Sequence, residues 1–248
     1  MDKYDHVIII GAQRSGTTML YSMLDDHPAI QMSRPVRPEP KFFLNRVGAE
    51  DYQDYVQRVF PSIGDGVRYL GEKSTSYYER PEVAERISKV LPDSKLIVQL
   101  RDPVERALSN YDFSFEHGLE TRSLEDVFLR RIPPPKVSFR TSVDPFDYVG
   151  RGEYVRHLRP YLRKFGDNLL VLKLDDVVHD LKDKRICDFL EIREVPLKAD
   201  LASYRNEVPR TIASEEVRSI LIEYFKPFNN ELSVLTGLDV SNWNNPGE

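Results

Sequence analysis

The chain has 248 residues, 40% of them hydrophobic, so it can bury one substantial core but hardly two. Its 35 Lys and Arg residues and 40 Asp and Glu residues give a net charge of -5, which argues against a general polyanion-binding surface and against a nucleic-acid partner. The single cysteine, Cys187, excludes an internal disulfide and a cysteine-cluster metal site. We therefore expect a single domain over residues 1–248, in which any anion site is local.

Residues 6–10 form the first predicted element, a short β-branched run that ends at Gly11. Such a run is typical of a buried strand in a parallel sheet. From Gly16 to Leu24, apolar residues recur at helical spacing. The helix is expected to stop at residues 25–28, because the residue before a proline is pushed out of the α region. These segments form a strand, loop and helix unit.

The same pattern recurs in the middle of the chain. Residues 95–100 form an apolar run, a turn follows at 101–103, and apolar residues then return at helical spacing, with Pro103 suited to the first helical position. Further strands are predicted at 69–72 and 169–174, and further helices at 81–90, 153–165, 186–190 and 214–225. Strands that alternate with helices predict an α/β fold, in which a central parallel sheet is flanked by helices.

Residues 133–152 follow neither the strand nor the helix period. The segment begins with three prolines and is rich in proline, serine and aspartate. We interpret it as a long functional loop, and a disordered connector is the alternative.

The loop at residues 11–18, with the sequence GAQRSGTT, lies between the first strand and the first helix. Backbone N–H groups in such a loop converge on one point, and the start of the helix adds positive potential. The loop is therefore predicted to bind a phosphate group, although a plain glycine turn is the alternative. The candidate ligands are Arg14, Ser15, Gly16, Thr17 and Thr18.

This loop differs from a Walker A loop in the position of its cation. Thr17 stands where the Walker lysine would be, and Arg14 supplies the positive charge earlier in the loop. The difference disfavours an ordinary kinase. Two alternatives stay open, a nucleoside or nucleotide kinase with a degenerate loop and a catalytically silent nucleotide-binding module. No metal is predicted, because the histidines show no metal-ligand spacing.

A second motif, RDPVERALS at residues 101–109, begins where the strand at 95–100 ends. Open α/β sheets bind their ligands at the carboxyl ends of strands. Arg101 offers a bidentate fork, and Ser109, about two helical turns further on, offers a hydroxyl. The pair is predicted to bind a phosphate monoester, whereas a helix-capping turn with a surface arginine is the alternative.

These motifs together resemble the PAPS-dependent sulfotransferases. Residues 11–30 are similar to the loop of tyrosylprotein and carbohydrate sulfotransferases, which have arginine where the heparan sulfate enzymes have lysine. Residues 39–43, EPKFF, and 72–78, EKSTSYY, match the E-x-x-F-F and EKS-x-x-Y segments of the heparan sulfate group. The resemblance implies a P-loop-like sulfotransferase fold, PAPS as the donor, adenosine 3′,5′-bisphosphate (PAP) as the product, and transfer of a sulfuryl group to an acceptor hydroxyl.

The resemblance also implies roles for individual residues. Glu39 is the expected catalytic base, which takes the proton of the acceptor hydroxyl, although a solvated surface charge is the alternative. Lys73 and Arg14 are expected to balance charge on the phosphosulfate, and an ion pair with Glu72 or a neighbouring acid is the alternative for Lys73. Arg210, in a segment at 205–210 that the resemblance identifies with a lid, is the expected further contact of the 3′-phosphate, and a plain surface loop before the helix at 214–225 is the alternative.

Two departures from the heparan sulfate pattern leave the acceptor open. Arg14 replaces the lysine of that group, and the lone Cys187 rules out its disulfide. A sugar hydroxyl is the first expectation, a hydroxyl or phenol of a secondary metabolite the second, and a tyrosine side chain the third. A short anionic chain is accommodated if Arg34, Arg37, Arg140 and Arg151 line a groove.

The sequence contains no run of about 18 to 20 apolar residues, the length that a membrane-spanning helix needs. Its start lacks the charged-then-apolar layout of a secretory signal. A cytoplasmic protein without a membrane span is therefore expected. The oligomeric state is left open, and the lone Trp243 is predicted to anchor the chain end.

Overall fold

The structure, a computed structural model, describes residues 4–136, 141–179, 184–195 and 211–245. It contains a sheet of five parallel strands in the order β2-β3-β1-β4-β5. The predicted α/β fold with a central parallel sheet is thus confirmed. The strands are β1 (Asp5–Gly11), β2 (Ile30–Met32), β3 (Tyr69–Lys73), β4 (Lys95–Leu100) and β5 (Leu169–Lys173).

Helices connect the strands, as parallel pairing requires. Most predicted helices are confirmed, and the one at Pro81–Val90 has the expected bounds. The helices of the described residues are α1 (Thr17–Asp25), α2 (Tyr52–Val59), α3 (Pro81–Val90), α4 (Pro103–Glu116), α5 (Leu124–Phe128), α6 (Tyr154–Phe165), α7 (Leu174–His179), α8 (Lys184–Leu190) and α9 (Glu215–Thr236).

Some element bounds differ from the predictions for local reasons. β2, α2 and α5 were not predicted. Leu174 begins α7 instead of ending β5. The last helix runs to Thr236 and not to residue 225. Burial of Asn229 and Leu232 continues the buried face past Pro227 and outweighs the local cost of the proline.

The chain divides into two compact units. The first consists of Met1–Leu100 and His157–Asn206 and contains the sheet, and the second consists of Arg101–Arg156 and Glu207–Glu248 and contains α4, α5 and α9. The single domain over residues 1–248 stays a prediction.

In the first unit, the residues of β1 alternate between the two faces of the sheet, as strand geometry dictates. Val7 and Ile9 pack into a core cluster with α1, α7 and α8. On the opposite face, the ring of His6 lies 5.5 Å from the ring of Tyr55 on α2. Helices therefore cover both faces of β1, which explains its continuous apolar sequence.

The core of the second unit lies between α4, α5 and α9. Residues 145–148 of the segment at 133–152 are held against this core, since Tyr148 is buried within it and Asn110 Nδ2 donates to the Pro145 carbonyl at 2.9 Å. Trp243 is buried against Tyr154, with 6.1 Å between ring centroids, which confirms its predicted anchoring role.

Candidate active site

The predicted phosphate loop at residues 11–18 joins the end of β1 to the start of α1. Its backbone is left-handed at Arg14, with φ 69°, and at Gly16, with φ 73°. Glycine adopts this conformation freely, and a Cβ at Gly16 would lie 2.5 Å from Leu174 Cδ1 and 2.9 Å from Gln99 Nε2. The loop therefore curls tightly at the first turn of α1, where only glycine fits without strain.

The start of α1 offers groups that suit a phosphate. The N-cap residue, Gly16, has no side chain with which to cap the helix. Ser15 Oγ is buried without a hydrogen-bond partner among the described residues, while Gln99 on β4 fixes the loop by donating from Nε2 to the Ser15 carbonyl at 2.6 Å. Buried hydroxyls normally have a hydrogen-bond partner. A bound anion could accept from the Ser15 hydroxyl and from the N–H groups at the start of α1, so the two features together fit an anion site. Thr17 is buried and Thr18 half-buried in the first turn.

Glu39 and Lys73 meet in a second part of the site. Lys73 Nζ donates to Glu39 Oε1 at 2.7 Å. The lysine side chain is 4% exposed and the glutamate side chain 13% exposed, so the pair is largely shielded but the carboxylate can still be reached. Lys73 thus pairs with an acid, as the alternative interpretation has it, but with Glu39 and not with Glu72. Neighbouring strand residues such as Glu72 and Lys73 point to opposite faces of a sheet.

Thr75 holds the same carboxylate from another side. Its backbone N–H donates to Glu39 Oε2 at 3.1 Å, and its hydroxyl lies 2.9 Å from Oε1. Glu39 therefore has fixed partners at both oxygens. Thr75 was not predicted as a site residue, and its position two residues after Lys73 in the EKS segment is the sequence signal that points to it.

The register of the sheet places this cluster beside the phosphate loop. Ile9 of β1 pairs with Lys73 of β3, and the Ser74 amide donates to the Ile9 carbonyl at 3.0 Å. The Tyr78 amide donates to the Ile10 carbonyl at 3.0 Å. Because β1 and β3 are parallel, the loop that follows β1 and the Lys73–Glu39 pair both lie at the carboxyl ends of the strands, where α/β proteins bind ligands.

Glu72 on β3 is completely buried near this pair. Burial raises the pKa of its carboxyl to about 7, and the charge of Glu39 acts in the same direction. The hydroxyls that oppose the shift belong to Tyr77, Ser74 and Tyr55. Neither Glu72 oxygen completes a hydrogen bond of good geometry within the described ranges, so the hydroxyls are close neighbours that can still reorient.

Arg101 and Ser109 lie in the second unit. Arg101 Nη2 is 3.2 Å from Glu105 Oε2, and the Arg101 carbonyl accepts from the Tyr154 hydroxyl at 2.7 Å. Ser109 is buried on α4, which Asp102 caps by accepting from the Val104 amide at 2.8 Å. Burial raises the pKa of Asp102 to about 6. Arg101 is largely buried, so it is not the surface arginine of the alternative interpretation.

The other basic residues predicted from the sequence differ in exposure. Arg151 is 3% exposed and donates from Nη1 to Asn110 Oδ1 at 2.8 Å, so its predicted place in a surface groove is wrong. Arg34 is exposed and pairs with Asp25. Arg37 is exposed, and Arg140 and Arg210 lie outside the described residues.

Within the described ranges, no three His, Cys, Asp or Glu side chains come together in an arrangement that could hold a metal ion. The helices in the same ranges include none with the length and apolar character needed to cross a bilayer.

A family model, the sulfotransferase domain, matches residues 4–212. The chain is 29% identical over 260 residues to the mouse protein named heparan sulfate glucosamine 3-O-sulfotransferase 3B1, an alignment that covers 94% of this chain and 63% of that protein. It is 28% identical over 271 residues to the human protein named heparan sulfate glucosamine 3-O-sulfotransferase 6, with 96% of this chain and 73% of that protein covered.

A solved structure shows the same likeness in three dimensions. The crystal structure of a sulfotransferase from Alicyclobacillus acidocaldarius superposes with a TM-score of 0.77 and 25% sequence identity, over 98% of this chain and 99% of that one. The chain thus spans less than two thirds of the mouse relative but nearly all of the bacterial protein.

Proposed function

This chain belongs to the sulfotransferase domain family, and on that premise we propose that it transfers a sulfuryl group from PAPS to an acceptor hydroxyl. PAPS, when bound, supplies the sulfuryl group that its phosphosulfate bond carries, and PAP is the product that is released. The observation that carries the proposal is the Glu39–Lys73–Thr75 cluster, which lies at the carboxyl ends of the strands together with the loop at residues 11–18.

The loop holds a phosphate of the donor. The uncapped start of α1, the Ser15 hydroxyl and the Arg14 guanidinium together supply N–H and O–H donors and a positive charge. Thr17 and Thr18, in the first turn, add hydroxyls. Arg101 and Ser109 remain predicted ligands of a second phosphate, and Arg210 a predicted ligand of the 3′-phosphate.

Glu39 acts as the general base. As the acceptor oxygen forms its bond to sulfur, the hydroxyl proton passes to the Glu39 carboxylate, and the bond between sulfur and the leaving phosphate oxygen breaks. Lys73 and Arg14 offset the negative charge that grows on the leaving oxygen. Positioning and charge stabilisation account for most of the catalysis in such a transfer, as in phosphoryl transfer.

A sugar hydroxyl is the proposed acceptor. The two curated relatives are named for transfer to a glucosamine of heparan sulfate, and this supports a carbohydrate before a small phenol or a tyrosine side chain. The cytoplasmic location predicted from the sequence stays a prediction.

The donor is tested first by calorimetry in the presence of EDTA. We expect PAP to bind without a divalent metal. A preference for Mg-ATP over PAP would instead support the kinase alternative.

Transfer is tested with labelled PAPS and a panel of oligosaccharides, phenols and a tyrosine peptide. Glu39→Gln should bind PAP as the natural protein does but lose at least about 10²-fold in transfer, the usual effect of removing a general base. The matched control is Glu50→Gln. Glu50 is an exposed glutamate in the same unit, and this variant should transfer the sulfuryl group at the normal rate. Equal transfer by both variants would remove Glu39 from the mechanism, and PAP binding without transfer to any acceptor would favour the silent binding module.

A further inference from the structure

A buried carboxyl near the candidate base has no role in the transfer scheme. Glu72 has no exposed surface, and neither of its oxygens has a hydrogen-bond partner of good geometry among the described residues. A buried carboxyl costs far more to desolvate than an apolar side chain of the same size. The cost points to a function for Glu72 that an apolar side chain could not serve.

The hydroxyls around Glu72 also hold the segment that follows Glu39. The Lys41 amide donates to Ser74 Oγ at 2.9 Å, and the Phe43 amide donates to Tyr77 Oη at 3.1 Å. Both bonds join residues more than 30 positions apart, since the sequence separations are 33 and 34. They tie residues 41–43 to the end of β3.

Each amide can donate to its hydroxyl oxygen only when the hydroxyl proton points away from the amide. A hydroxyl has one proton, which must be directed elsewhere if its oxygen is to face an amide. Tyr77 keeps its proton, because burial raises the pKa of its phenol well above the ordinary value. Ser74 lies beside both Tyr77 and Glu72, so the three side chains form one network.

We propose that Glu72 is a positioning residue that fixes the segment bearing Glu39. Its carboxylate is an acceptor only, and it draws the two hydroxyl protons toward itself, so that both hydroxyl oxygens face the backbone amides. A protonated Glu72 is a donor, and one hydroxyl must then turn and compete with an amide. The functional part of this inference rests on the proposed role of Glu39 as the base.

The other groups near Glu72 determine when it loses its proton. Tyr55 on α2 faces it with a phenol that has no partner of good geometry among the described residues, and the ring of His6 on β1 lies 5.5 Å from the ring of Tyr55. Glu39 adds a negative charge, and Lys73 holds Glu39 in turn. Glu72 therefore gains its proton as the pH falls through about 7, and the two amide bonds should weaken over the same range.

Amide hydrogen exchange, measured by NMR on the protein without donor or acceptor, tests the network of Glu72, Ser74 and Tyr77 directly. Glu72→Gln should lower the protection factors of the Lys41 and Phe43 amides together, each by at least about fivefold, the change expected for the loss of one hydrogen bond. Amides within β1 should keep their protection.

Two further variants separate the amide bond to Tyr77 from the amide bond to Ser74. Tyr77→Phe should expose the Phe43 amide alone, and Ser74→Ala the Lys41 amide alone. In the natural protein, protection at both amides should fall between pH 8 and pH 6. This pH series decides the matter even if Glu72→Gln fails to fold, and protection that stays level across it would overturn the proposal.

The exchange result does not depend on the transfer proposal, because neither donor nor acceptor is present. With an acceptor from the panel, Glu72→Gln should lower kcat by about fivefold or more and leave PAP affinity unchanged, as expected when a base is misplaced by a lost hydrogen bond. The acid limb of the kcat profile near pH 7 should also disappear. A variant that changes PAP affinity and keeps kcat would contradict the positioning role.

Discussion

Thr75 gives the candidate base its most specific contact at the scale of single residues. Its hydroxyl and its amide each hold one Glu39 oxygen. Thr75→Val removes the hydroxyl and keeps both the shape and the amide. Because a hydrogen bond to a charged group contributes about 1.5–3 kcal/mol, we expect a roughly 10- to 100-fold lower kcat with unchanged PAP binding.

The control for that experiment is Thr75→Ser, which retains a hydroxyl and should recover most of the transfer rate. Equal loss in the serine and valine variants would show that the methyl group, and not the hydroxyl, matters at this position.

The sequence predicted Glu39 and Lys73 as candidate site residues but not the partners that orient them. Glu39 lies 36 positions from Thr75, and no spacing rule predicts a contact at that separation, because it depends on the path of the loop after β2. The buried state of Glu72 was also not predicted. It follows from the place of Glu72 on a central strand that helices cover on both faces.

At the scale of elements, the start of α1 depends on a glycine. Gly16→Ala places a Cβ against Leu174 and Gln99 at a residue with positive φ. We expect a loss of about 1–2 kcal/mol in the free energy of unfolding from the conformation alone, together with weaker PAP binding because the loop shifts. Urea unfolding and calorimetry measure the two effects.

Gly66 offers a matched control, because it has a φ of 76° and open space around its Cβ position. Gly66→Ala should show the conformational cost without any change in PAP affinity. If both variants bind PAP normally, the close packing at Gly16 has no part in donor binding.

The long helix α9 contains an exposed proline in its interior. Pro227→Ala restores an N–H that can donate to the Glu223 carbonyl and relieves the clash of the proline ring. We expect the variant to be more stable by about 1 kcal/mol or more, since the cost of an interior proline is about 3 kcal/mol less what its rigidity saves in the unfolded chain.

Urea unfolding measures that change, and Lys226→Ala, at the neighbouring exposed position, controls for the gain in helix propensity. A loss of stability in Pro227→Ala would mean that the proline fits its place without strain.

The same proline explains why the helix was predicted to end too early. A local rule stops a helix near a proline, whereas burial of Asn229 and Leu232 carries α9 past it. β2 was missed for another reason. Three residues are too few to show a period, and the strand exists because Ile30 pairs with Tyr69 on β3. Long periodic elements such as α3 and β4 were predicted, because each is determined by its own sequence.

At the scale of the whole molecule, two acids, the buried Glu72 and the half-buried Asp102, link stability to pH. Burial raises the pKa of Glu72 from 4.5 to about 7 and that of Asp102 from 3.8 to about 6. The folded chain therefore holds protons that the unfolded chain has lost, and the stability from these groups falls as the pH rises from about 4 to 7. For Glu72 the loss is on the order of 3 kcal/mol.

Glu72→Gln should remove its share of this dependence, so the variant should match the natural protein near pH 5 and melt at a higher temperature at pH 8. Scanning calorimetry over that range measures the difference. Identical melting curves at pH 8 would show that the Glu72 carboxyl titrates near its ordinary pKa. A gain in stability together with the predicted loss of kcat would show that the carboxylate is kept for function.

The edge of the sheet at β2 has a consequence for encounters with other chains. A free strand edge is a template on which a foreign strand can add, and this is how aggregation often begins. β2 has only three residues, the Ile30 amide is already bonded to the His27 carbonyl, and Pro35 and Pro38 have no N–H to donate. A visiting strand would find almost nothing to pair with there, so this side of the sheet is protected against edge-to-edge growth.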